Sequence, residues 1–131
     1  MIREIKMRIK VLVENARRRR RLRRICDALD IRPYRWQRDF ALGLIGCDAF
    51  PKGRSTGKTT AVMLRLLMLP PNASEVAVRA ILARDPDWMP NDVLRCRWYA
   101  YEYKRLRAMC FEEGIETADA LAEYRALRRR N

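Results

Sequence analysis

KGRSTGKTTAVMLRLL, residues 52–67, is the stretch on which the reading of this chain turns. Its second half, from Thr60, is a strongly apolar run that reads as a helix, stopped by Pro70 and Pro71. Its first half holds Gly53, Arg54, Gly57, Lys58 and Thr59. Glycines let backbone N–H groups converge on phosphate oxygens, and a helix starting near Lys58 offers its positive end. Lys58 would reach the outer phosphates of a nucleotide, and the Thr59 hydroxyl would face Mg²⁺.

Outward from this stretch, the charge balance sets the partners. The chain has 131 residues, enough for one domain with a modest core. It carries 29 Lys plus Arg against 16 Asp plus Glu, a net charge of +13. A potential of that sign favours polyanions, nucleic acid above all. No apolar run approaches the ~18 residues that span a bilayer. The N-terminus is charged at Arg3, Glu4, Lys6, Arg8 and Lys10, unlike a signal peptide. A cytoplasmic protein with no membrane partner is expected. The four cysteines, Cys26, Cys47, Cys96 and Cys110, form no C-x-x-C pair and read as small buried hydrophobes. Histidine is absent, which excludes histidine acid–base chemistry from this chain.

The expected fold class is mainly α: a small helical domain with a phosphate-loop-like turn and at most a minimal β element. Residues 1–29 read as a basic N-terminal helix and 30–131 as a compact, mostly helical domain. Ile2, Ile5, Ile9, Leu12 and Ala16 form one helical stripe, which resumes in shifted phase at Leu22, Cys26 and Leu29. Its first half is expected to pack on a partner or on the body. A second helix begins near Pro33 and ends at Gly46. CDAFPKG, residues 47–53, is the one plausible short strand. Ser74 caps a fourth helix ending before Pro86, and Asn91 a fifth stopped by Gly114. Thr117 caps a last helix. Trp98, Tyr101 and Arg105 share a face of the fifth helix, expected to pack inward.

PYRWQRDF, residues 33–40, precedes GRSTGKTT, residues 53–60, at a spacing that resembles the start of the ATPase domain of phage large terminases and helicase-like P-loop ATPases. The strict G-x-x-x-x-G-K-[ST] pattern is not met, because Lys52 stands five before Gly57. The resemblance spans about residues 30–68. It implies ATP and Mg²⁺ as ligands. Gln37 would contact adenine, and Gly53, Arg54, Gly57, Lys58 and Thr59 would form the phosphate loop, with Thr59 facing the metal. A terminase also needs a strand ending in an acid that completes the metal site. Asp85 is the candidate, although the segment before it reads as a helix. Efficient autonomous hydrolysis is therefore not expected.

ARRRRRLRR, residues 16–24, places Arg17, Arg18, Arg19, Arg20, Arg21, Arg23 and Arg24 nearly all round a helix. Arginine pairs bidentately with phosphate, so backbone binding to DNA or RNA with little sequence preference is expected. Three readings stay open: a nucleotide-binding, nucleic-acid-associated protein; a non-catalytic basic module with a relic loop; and an interaction subunit whose protein partner supplies the rest of an ATPase.

Overall fold

The computed structural model describes residues 1–52 and 57–121. Among these residues the chain is mainly helical and has no strand. The helices are α1 (Ile2–Ala28), α2 (Arg35–Ala41), α3 (Lys58–Leu67), α4 (Glu75–Leu82) and α5 (Val93–Glu112), with a 3₁₀ turn at Cys47–Ala49. That turn occupies the segment expected to be a strand. Pro51, which cannot donate to a ladder, follows one residue after it.

α3 is the centre. Ala61, Val62, Met63, Leu64, Leu66 and Leu67 are all buried, on every side of the helix. A helix apolar all round can only be stable when enclosed. α2 and α4 pack on it, and α1 reaches both α3 and α5. Phe40 and Phe50 meet edge-on at 4.7 Å beside α3, and the Arg65 guanidinium lies 4.8 Å over the Phe40 ring.

Local chemistry sets most boundaries. Ser74 Oγ accepts from Ala77 N at 3.2 Å and starts α4. Asp92 Oδ1, rather than Asn91, accepts from Arg95 N at 3.1 Å and starts α5. Gly114, at φ 75°, ends it. α2 stops at Ala41, earlier than expected. Gly43, not Gly46, takes the left-handed conformation at φ 76° and turns the chain.

α1 differs from the other helices. Its last turns belong to the core through Leu22, Ile25 and Cys26. All of residues 1–20 are exposed, Ile2, Ile5, Ile9 and Leu12 included. At 1.5 Å per residue, the part of this arm before Arg18 extends roughly 25 Å from the body. The apolar stripe thus packs on nothing among the described residues.

The buried face of α5 is Cys96, Tyr99, Ala100, Tyr103, Leu106 and Cys110. Trp98 and Tyr101, expected inside, are 51% and 58% exposed. Of the expected last helix, residues 118–121 are not helical, and the remainder lies outside the described residues. Thr117 is buried, and its hydroxyl accepts from Arg107 Nε at 3.2 Å.

Burial also fixes an alkaline limit. Burial, and then the nearby Asp27, push the Cys26 thiol up from 9.0 to about 11. The unfolded chain loses this proton first as pH rises, so the contribution is whole below pH 9.0 and is lost on the way to about 11. The urea midpoint is therefore expected to fall between about pH 8 and about pH 10.5, and to fall less in Cys26→Ala. Parallel curves for the two proteins would remove Cys26 as the cause.

Candidate functional site

The segment before α3 enters the helix through Gly57, at φ 88° and ψ 19°. The backbone here favours glycine. The conformation is left-handed, and a Cβ would stand 2.4 Å from Gln37 Nε2. Gln37 is 5% exposed and both ends of its carboxamide are engaged. Nε2 donates to the Gly57 carbonyl at 3.0 Å, and Oε1 accepts from Tyr34 N at 2.9 Å. One side chain thereby ties the start of α2 to the start of α3.

Thr59, in the first turn of α3, meets two groups far along the chain. Its Oγ1 donates to Asp85 Oδ2 at 3.3 Å and lies 3.4 Å from the Tyr99 hydroxyl. Tyr99 donates to the same Asp85 oxygen at 2.6 Å. Asp85 Oδ1 accepts from the Asp87 amide at 2.9 Å. Asp85 is 3% exposed and Tyr99 2%. Burial, and then the hydrogen bond to Asp85, hold the Tyr99 phenol well above its usual range. Trp88 and Trp98 stand edge-on to the Tyr99 ring, at 5.0 and 5.3 Å. The cluster therefore joins α3, the α4–α5 connection and α5.

Of the residues singled out from the sequence, Gln37, Gly57, Lys58 and Thr59 gather at the mouth of α3, and Asp85 arrives there from after α4 rather than from a strand. Gly53 and Arg54 lie outside the described residues. Tyr99 was missed as a site residue. Its signal was the 96–99/100–103–106–110 helical spacing, which marks the inward face of α5.

The donor chemistry suits Mg²⁺ in kind, since a hydroxyl and a carboxyl are both hard oxygen ligands. Among the described residues no three or more acidic or cysteine side chains gather for a metal, so phosphate and water would supply the other positions. A cation at Asp85 Oδ2 would displace the hydrogen bonds from Thr59 and Tyr99.

The arginine segment divides. Arg17, Arg18, Arg19, Arg20, Arg23 and Arg24 are exposed on α1. Arg21 turns to the body, where its Nη2 donates to the carbonyls of Leu67 at 2.9 Å and Glu116 at 2.7 Å. A cation on the last carbonyl of α3 also opposes the negative end of that helix. Burial pulls the Arg21 guanidinium below its ordinary value. On α5, Arg95 bonds the Asp87 carbonyl at 2.7 Å, and Arg107 pairs with Asp119 at 3.3 Å.

Comparison with protein-family models, with curated proteins and with solved structures returned no match. No helix among the described residues is long and apolar enough to cross a membrane.

Proposed function

We propose that this chain is a nucleotide-binding, nucleic-acid-associated protein. The mouth of α3 holds the phosphates of ATP with Mg²⁺, and the exposed arginines of α1 hold a nucleic-acid backbone. The observation that carries the reading is the meeting of Thr59 with Asp85 at 3.3 Å, across 26 residues of sequence. A hydroxyl at the start of a helix and a buried carboxyl beside it form the pair a phosphate-bound Mg²⁺ requires. Lys58 and the positive end of α3 supply the charge for the phosphates. Gln37 holds Gly57 at the start of α3. Bound Mg²⁺ would supply charge neutralisation at the outer phosphates. Hydrolysis by the isolated chain is slow or absent, because the one buried acid here is already held by three donors.

A second reading rests on that same satisfaction. Thr59, Asp85 and Tyr99 answer one another's hydrogen bonds, as a purely structural tie would. The chain is then a non-catalytic basic module for DNA or RNA. A third, in which a partner protein completes the ATPase, differs from the first by its partner-dependent turnover.

A thermal shift separates the first two. Ligand at about 100 times its dissociation constant adds roughly 2.7 kcal/mol to a protein that binds it only when folded. Wild type is expected to melt higher with millimolar Mg-ATP, and Lys58→Ala to lose that shift relative to its own ligand-free melting. No shift in wild type would sink the nucleotide reading and leave the basic module.

A further inference from the structure

We propose that the groove between α1 and α2 seats a single strand of nucleic acid. This rests on the nucleic-acid half of the reading above and gives it a place and a substrate class. The groove encloses about 610 Å³, the size of a pocket that holds one or two nucleotide units. Its rim carries Arg19 and Arg23 from α1, Arg32 from the connection, and Arg35 and Arg38 from α2. Asp27 and Asp39 are the acids beside them, so five positive charges face two negative ones, a net of +3. Of the five, Arg35 is ion-paired among the described residues, to Asp39 at a long 3.9 Å. The floor is apolar, with Leu22, Cys26 and Leu42. Arginines above an apolar floor match a chain whose phosphates alternate with flat, weakly polar bases.

Two neighbours extend the match. Tyr34 stands between the lining residues Pro33 and Arg35 and is 68% exposed. Its backbone N–H is bonded to Gln37, and its exposed ring offers a stacking face. Gly43 stands between the lining residues Leu42 and Leu44. The terminal nitrogens of Arg65 and Arg18 lie 3.7 and 3.8 Å from where a Cβ on Gly43 would be. Two guanidinium groups thus lie beside a position that has no side chain. Arg65 Nη1 is shielded from solvent and has no hydrogen-bond partner. Burial, then Arg84 and Arg18, lower the Arg65 guanidinium from its ordinary value. A phosphate oxygen beside Gly43 would meet Nη2 of both Arg18 and Arg65.

A duplex keeps its bases stacked inside a stiff rod and cannot lay one on an apolar floor; a single strand can. The test is fluorescence anisotropy at about 150 mM salt with oligo-dT and oligo-U of about 20 nucleotides, and with a duplex of equal length. Oligo-dT against oligo-U tells a DNA from an RNA preference. Wild type is expected to bind a single strand at least about tenfold more tightly than the duplex. The triple variant Arg32→Gln, Arg35→Gln, Arg38→Gln is expected to lose about tenfold or more on single strands. Tyr34→Ala should lose roughly five- to tenfold there and little on the duplex, with Tyr34→Phe restoring the loss. The four changed residues are not in the core, so far-UV circular dichroism should be unaltered.

Single-strand binding by wild type that the triple variant retains would overturn the groove and leave the nucleic-acid reading standing. A duplex bound more tightly than either strand would do the same. Displacement by polyglutamate as effective as by oligo-dT would assign the groove to acidic peptide instead. No binding of any nucleic acid would remove the reading on which the groove rests.

Discussion

Asp85→Ala is expected to destabilise the fold by about 2–5 kcal/mol, since stranding each buried donor costs about 1–3 kcal/mol. Asp85 accepts from Tyr99, Thr59 and the Asp87 amide. Tyr99 is 2% exposed, so water cannot replace the lost acceptor at its hydroxyl. Tyr99→Phe removes one donor and leaves Asp85 two others, and should cost only about 1 kcal/mol. The double variant should then cost less than the two single changes added together, because the groups share one oxygen. Urea unfolding of the four proteins supplies the cycle. Strict additivity, or a loss in Asp85→Ala below about 1 kcal/mol, would show that the cluster does not hold α3 to α5.

On duplex DNA the arm of α1 is expected to bind by counterion release, with little regard to sequence. If about five phosphates are neutralised, the slope of log K against log salt is near −4.5. That is a loss of roughly 500-fold between about 50 and about 200 mM salt. Arg17→Gln, Arg18→Gln, Arg20→Gln and Arg24→Gln together should flatten the slope by up to about 3.6, since each phosphate contact contributes about 0.9. Glutamine keeps the straight, helix-favouring chain and removes the charge. Arg21→Gln is the control. It breaks the bonds to Leu67 and Glu116, so it should lower the urea midpoint and leave the slope nearly unchanged. Equal slopes for wild type and the fourfold variant would mean that these arginines are only solvated.

Much of the architecture was legible because it is local. Ser74, the prolines after Leu69 and Gly114 mark boundaries by their own stereochemistry, and the apolar run after Thr60 marks α3 by composition. α2 was drawn too long because Leu44 and Ile45 continue an apolar pattern that Gly43 has already ended. The inward face of α5 was misjudged because aromatics occur on both sides of it, which hides the phase. Trp98 and Tyr101 were taken for core, while Tyr99 and Tyr103 fill it. The site divides in the same way. Gly57, Lys58 and Thr59 could be read from their spacing. The contact of Thr59 with Tyr99 spans 40 residues and has no periodic trace. The inward turn of Arg21 was hidden by its identical neighbours. Its position four residues before the buried Ile25, on the same side of α1, was the distinguishing mark.

α1 runs from Ile2 to Ala28 with neither glycine nor proline, and no break where the arm meets the body. An arm attached by a flexible linker would act as a tether, and its cargo could swivel freely. This one is a crank. A load gripping residues 2–20 sets the azimuth of Leu22, Ile25 and Cys26, and these are locked into the core around α3. Orientation, not merely proximity, passes along such a shaft, so a ligand held by the arm would also fix the direction in which the mouth of α3 faces.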